Sequence, residues 1–246
     1  MDPLFKLMPI VFLAFAVEAS LGFGSALVAV TLGSMLFPIG ELLPMLIPLS
    51  IVVSGYITIR YRATIDRPML LRRIVPAMAL GLPVGLFALQ TLPATLLKRA
   101  FAAFILVLVG IELWKMIRAP REAPAPLSRL VSAALLFLGG LVHGAFSTGG
   151  PLVVYVAGRD LAHDKARFRS TLSALWLVMS IVLFATFTLL GRVDSTSLER
   201  SGLLVLPLVL GLISGEVMHA RVPVRALRPL VFVVLGVAGV ALAVQA

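Results

Sequence analysis

The 246-residue chain contains no cysteine and only 3 histidines, and just 13% of its residues are charged. Without cysteine there is no disulfide framework, no thiolate nucleophile and no thiolate-ligated metal. His143, His163 and His219 form no H-E-x-x-H, and neither G-x-S-x-G nor G-x-x-x-x-G-K-[ST] occurs. The usual zinc-hydrolase, serine-hydrolase and P-loop constellations are therefore missing, and the sequence reads as a non-enzyme with no cofactor and no metal. Water-soluble domains carry about a quarter of their residues as charges. The scarcity of charge excludes a soluble enzyme, a nucleic-acid-binding module and a disordered chain.

What is abundant is apolar: 60% of the residues by the AVILMFWYC count, with a mean hydropathy of +1.09. The 21 basic residues outnumber the 11 acidic ones for a net charge of +10. In a soluble protein such an excess suggests nucleic acid. Here the basic residues fall in short loops between apolar runs, where they anchor topology, so the expected partner is the lipid bilayer. The first apolar run has no small-residue cleavage site followed by a polar mature chain, and is read as part of the membrane domain, not as a removable signal peptide.

A membrane-crossing helix needs about 20 mostly apolar residues. The runs at 42–59, 70–90, 95–117, 170–190, 202–219 and 229–245 meet that requirement. Two others do not fit one helix each: 4–38 is interrupted by Gly22-Phe23-Gly24-Ser25, and 130–158 by Ser147-Thr148-Gly149-Gly150-Pro151. Glycine and proline are poor helix formers, so each is expected to be a broken helix. Counting Lys and Arg decides between crossing and re-entering. With the loop at 60–73 inside, two re-entrant stretches place 16 basic residues inside and 5 outside; two crossing stretches place 12 inside and 9 outside. The inside excess that cytoplasmic loops carry favours re-entrance, with both termini outside. Irregular backbone at membrane depth survives only when protein or a water-filled cavity surrounds it.

The halves repeat. At a shift of 125 to 130 residues Gly24 falls on Gly149, Gly81-x-x-x-Gly85 on Gly211-x-x-x-Gly215, Pro93 on Pro223, Leu97 on Leu227 and Lys98 on Arg228. A proline-rich spacer, Arg118-Ala-Pro-Arg-Glu-Ala-Pro-Ala-Pro-Leu127, lies near mid-chain. The expected organisation is a first transmembrane repeat at 1–117, a cytoplasmic linker at 118–128 and a second repeat at 129–246. Each repeat is a broken re-entrant helix plus three transmembrane helices. Three crossings per half invert the second half, the plan of an all-α secondary transporter whose site lies near the midplane at broken helices.

Two passages, Glu18-Ala-Ser-Leu-Gly-Phe-Gly-Ser-Ala-Leu-Val28 and Gly139-Gly-Leu-Val-His-Gly-Ala-Phe-Ser-Thr-Gly-Gly-Pro-Leu-Val-Val-Tyr155, with Arg167-Phe-Arg-Ser-Thr171, resemble the TauE/SafE sulfite-exporter family of membrane transporters over nearly the whole chain. The resemblance implies a multi-pass protein of the cell (inner) membrane that moves small anions: sulfite, organosulfonates or small carboxylates. It leaves a homodimer open.

The breaks themselves suggest how an anion is held. A helix start exposes backbone N–H groups and the positive end of the dipole, an anion site that needs no charged side chain. Candidate substrate-binding residues are Gly22, Gly24, Ser25, Ser147, Thr148, Gly149, Gly150 and Arg169; the competing reading is that the glycines serve close helix packing. Glu18 and His143, superposed by the repeat, are candidates for proton coupling, against a structural role capping the broken backbone. Arg159, Arg167 and Arg169 attract anions or anchor topology. Glu112 and Glu216 are expected to pair near span ends with Lys115 or His219. Both Gly-x-x-x-Gly motifs read as packing faces, Trp114 as an interface ring, and Trp176 as core or pore lining. With no P-loop, energy must come from a gradient or a partner. The expected function is secondary-active export of small anions by alternating access, with a small-anion channel as the alternative.

Overall fold

A computed structural model describes residues 3–117, 127–161, 164–221 and 224–244. Among these residues every regular element is helical. In the first half α1 (Pro3–Leu21) and α2 (Ser25–Gly33) are followed by α3 (Ile39–Arg60). Next, α4 (Arg67–Met69), a π-turn at Leu70–Ile74 and α5 (Val75–Thr91) run on as one rod, Arg67–Thr91, and α6 (Ala94–Ile117) ends the half. The second half holds α7 (Arg129–Phe146), α8 (Gly150–Leu161), α9 (Lys165–Leu189), α10 (Ser195–Leu203), α11 (Val205–Arg221) and α12 (Val224–Val244).

Among the described residues six helices are long and apolar enough to cross a membrane (α1, α3, the Arg67–Thr91 rod, α6, α7 and α9), and the pair α10 and α11, bent by 44°, adds a seventh. The expected span at 202–219 therefore begins earlier, at Ser195, and of the expected span at 229–245 only Leu235–Val244 registers as an apolar helix. Asp194 starts α10 with a capping box: its carboxylate accepts from the Ser197 N–H at 2.8 Å while the Ser197 hydroxyl accepts from the Asp194 N–H at 3.0 Å. Other starts carry a one-way side-chain cap, α7 from Ser128, which accepts from the Val131 N–H, and α9 from Asp164, which accepts from the Arg167 N–H. Such side chains satisfy N–H groups that the helix leaves free. The linker at 118–126 and Pro223 lie outside the described residues, as do the side chains of Lys115, Leu227 and Arg228.

The packing repeats between the halves. α1 packs on α11 and α7 on α5, while α3 pairs with α9 and α6 with α12. The two Gly-x-x-x-Gly motifs make the first contacts. A methyl group on Gly81 would lie 2.0 Å from the Phe137 carbonyl oxygen, and one on Gly85 would lie 1.9 Å from that of Leu141. On Gly211 and Gly215 it would lie 2.5 Å from the carbonyl oxygens of Phe12 and Ala16. Phe12 and Ala16 precede Phe137 and Leu141 by 125 residues, so the sequence repeat is a repeat of contacts. Small residues let helices approach closely where lipid provides no hydrophobic drive between them.

Both broken stretches double back. Gly33, at the end of α2, lies beside Leu7 near the start of α1. Arg73 bonds Ser132 in the first turn of α7 and pairs at 2.5 Å with Asp160 in the last turn of α8, so α7 and α8 begin and finish at the same end of the bundle. At that end Arg167 also lies 3.5 Å from Asp66. The loops at 60–73 and 159–169, which two crossing stretches would separate, are thus in contact.

Candidate functional site

Each first half-helix ends on a left-handed residue. Gly22 has φ +84 and Ser147 has φ +56. The Gly22 N–H donates to the Glu18 carbonyl and the Ser147 N–H to that of His143, both at 2.7 Å. The second half-helices start after Gly24 and Gly149, whose carbonyls accept from Val28 at 3.0 Å and Val153 at 3.5 Å. Glu18 and His143, Gly22 and Ser147, and Gly24 and Gly149 are therefore equivalent pairs, each 125 residues apart. Glycine reaches φ +84 without strain; a side chain there costs roughly 1–2 kcal/mol. Gly24 supplies no side-chain cap to α2, so the first N–H groups of that helix depend on other partners.

The breaks meet. A cavity of about 30 Å³ is lined by Glu18, Gly24, Ser25, His143, Ser147, Thr148 and Gly150 among others, with Ser50 contributed by α3 and Trp176 and Ser180 by α9. Ser50 and Trp176 sit near the middle of the 22-residue α3 and 25-residue α9, which puts the cavity at mid-depth in the bundle.

Glu18 is 3% exposed and its carboxylate accepts hydroxyl hydrogens from Ser54 at 2.9 Å and from Ser25. The Ser25 hydrogen is thus directed at Glu18. His143, also 3% exposed, stacks on Trp176 with ring centroids 5.7 Å apart. The Trp176 Nε1–H donates to the Gly22 carbonyl at 3.1 Å, so this indole touches the first break and faces the residue before the second. Both ring nitrogens of His143 and the Thr148 hydroxyl are buried with no hydrogen-bond partner among the described residues. Buried polar groups are nearly always paired, and three orphaned atoms around one cavity mark where a polar ligand or water completes the set.

Gly22, Gly149 and Arg169 stand behind this wall. A methyl group on Gly149 would meet the Gly139 carbonyl oxygen at 2.1 Å, so this glycine serves helix packing. Gly22 presses against the Arg169 backbone, 2.9 Å from its Cα to an added methyl. Arg169, in the second turn of α9, pairs through Nη2 with Glu216 and lies 5.0 Å over the Tyr61 ring. The Tyr61 hydroxyl donates to Glu216 at 3.0 Å. Glu216 therefore bonds across the halves, whereas the sequence suggested a local pairing with His219. His219 instead donates from Nδ1 to the Ser20 carbonyl at 2.7 Å.

The two ends of the bundle differ. At the basic end, Thr64 bonds Ser170 and the Asp66 N–H bonds the Thr171 hydroxyl, both at 2.9 Å, adding to the links of Arg73, Arg167 and Arg169. At the far end a cavity of about 950 Å³ opens among the 34–41, 92–98 and 192–200 segments, lined by Lys98, Arg192 and Arg200 together with Glu41 and Asp194.

Sequence reasoning missed Ser50, Ser54 and Ser180 and left Trp176 between core and pore; isolated serines in otherwise apolar spans were the available signal. No group of three or more His, Cys, Asp or Glu that could hold a metal gathers among the described residues. A small cavity, two helix starts and the unpartnered polar groups of His143 and Thr148 thus meet at mid-depth.

The chain is 27% identical over 174 residues, 69% of either length, to the "Probable inner membrane transporter protein TsaS" of Comamonas testosteroni. No solved structure matches it. The family model described as "Sulfite exporter TauE/SafE" matches residues 7–242, and with that match the chain belongs to the TauE/SafE family of multi-pass membrane transporters.

Proposed function

We propose that the chain is a secondary-active transporter that exports small anions, such as sulfite, an organosulfonate or a small carboxylate, across the inner membrane. One observation carries the reading: two helix starts and the orphaned groups of His143 and Thr148 converge on one mid-depth cavity. The relative's name supports the inner-membrane location. The exchange of packing partners between the halves supports an inverted repeat, and the positive-inside rule assigns the basic end to the cytoplasm. A molecule tied shut at that end and open to about 950 Å³ at the other fits one limb of an alternating-access cycle better than a through-pore. Glu18 and His143, an acid and an imidazole in one pocket, are the groups to carry a coupling proton.

Uptake of sulfite, ethanesulfonate and acetate into proteoliposomes tests this. Thr148→Ala is expected to lower the transport rate about tenfold, the loss of roughly one hydrogen bond to a charged partner. Glu18→Gln and His143→Gln are expected to flatten its pH dependence. Wild-type rates in Thr148→Ala would remove the anion from this cavity, and single-channel currents would favour the channel.

A further inference from the structure

On α9, Arg169, Ser173, Trp176 and Ser180 follow one another at intervals of four, three and four, one stripe of a helix. Trp176 and Ser180 line the central cavity. Ser173 and Arg169 carry the stripe on toward the basic end, and both are buried, at 0% and 2% exposure. The Ser173 hydroxyl and the Arg169 Nε and Nη1 have no hydrogen-bond partner among the described residues. A buried guanidinium offers five N–H donors in a planar fork. This one is held by a single carboxylate oxygen through Nη2, with Tyr61 beneath its face.

We infer that Arg169 and Ser173 form a second anion subsite between the central cavity and the basic end, and that the transported oxyanion competes there with Glu216. A two-point grip on a guanidinium uses Nε with Nη2 or Nη1 with Nη2, and either choice takes one of the two hydrogens on the nitrogen that Glu216 also uses. An oxyanion seated on Arg169 therefore sits directly beside that carboxylate and competes with it for the same cation. Two anions against one buried cation is unfavourable. Glu216, the more exposed partner of the pair, is the one that leaves. Its departure also frees the Tyr61 hydroxyl just after α3, removing two of the ties that hold α11 at the basic end. An anion entering from that end thus loosens the barrier between it and the central cavity. The inference rests on the anion-transport reading above.

Isothermal titration of the purified full-length protein with ethanesulfonate tests it. Glu216→Gln, which keeps the size and removes the competing charge, is expected to bind the probe about tenfold more tightly, within the usual range of coupling between sites. Adding Arg169→Lys, which keeps the charge and removes the fork, is expected to abolish that gain. Thr148→Ala is expected to weaken binding while leaving the gain in place. Should Glu216→Gln fail to fold, Glu216→Asp, whose shorter side chain withdraws from Nη2, takes its place with the same expected tightening. Binding that Thr148→Ala weakens but the Glu216 variant leaves unchanged overturns the subsite alone. Absence of binding in wild type and all variants overturns the subsite and the transport reading together.

Discussion

A single methyl group measures how closely these helices approach. On Gly140 it would lie 2.1 Å from the Met78 carbonyl oxygen and 2.7 Å from the Met78 Cα; on Gly110 it would meet nothing within 4 Å. Both glycines are helical, so propensity favours alanine equally at each site, by up to about 1 kcal/mol. Backbone atoms cannot swing aside as a side-chain end can, so Gly140→Ala must push α7 off α5, at a cost of about 1–3 kcal/mol. Thermal unfolding in detergent is expected to show Gly140→Ala melting below wild type and Gly110→Ala at or above it. Equal melting temperatures would mean that the α5–α7 contact is looser than described.

At the scale of elements, caps decide where helices begin, and one of them titrates. Asp194 lies in the loop before α10, and its hydrogen bonds from the Ser197 N–H and hydroxyl hold its carboxyl below the usual aspartate value of 3.8. A carboxyl whose folded value is depressed stabilises its element above the unfolded value and loses that contribution as pH falls through the folded one. Hydrogen exchange over Ser195–Leu203 is expected to accelerate as pH drops below about 4, after correction for the intrinsic rate. Asp194→Asn should keep a cap, since asparagine caps well, and remove the pH dependence; a dependence that persists would place its origin elsewhere.

Much at this scale was legible in the sequence. The breaks announce themselves because glycine and proline interrupt otherwise continuous apolar runs. The Gly-x-x-x-Gly faces were legible for the same local reason, and the 125-residue register fixed Glu18 against His143. The early start of α10 was hidden because Ser195–Leu203 is too polar to register as part of a span, although Asp194 and Ser197 carried the cap signal. The bond from Glu216 to Arg169 joins residues 47 positions apart. It depends on how α11 is set against α9, which no local spacing encodes. Ser50 and Ser180 of the central cavity and Ser54 beside Glu18 escaped for a related reason: which face of α3 and α9 turns inward is fixed by packing, and a lone serine reads the same on either face.

For the molecule as a whole, the question is whether opening one end closes the other. The absence of native cysteine makes single introduced thiols unambiguous reporters. Thr196 lines the far-end cavity, while Ser170 is buried at the basic end and accepts the Thr64 hydroxyl at 2.9 Å. A membrane-impermeant thiol reagent is expected to label Thr196→Cys readily from the far side and Ser170→Cys slowly from the basic side. Asp66→Ala removes the partner of Arg167 and the cap of α4, loosening the basic end without touching the central cavity. If the halves rock about the breaks, this substitution should speed labelling at Ser170→Cys and slow it at Thr196→Cys, because the two openings exclude each other. A fixed pore with a frayed gate would instead show faster labelling at Ser170→Cys with Thr196→Cys unchanged. The sign of the change at Thr196, 26 residues along the chain from the basic-end reporter and beyond the opposite end of α9, therefore separates a carrier from a channel without knowledge of the substrate.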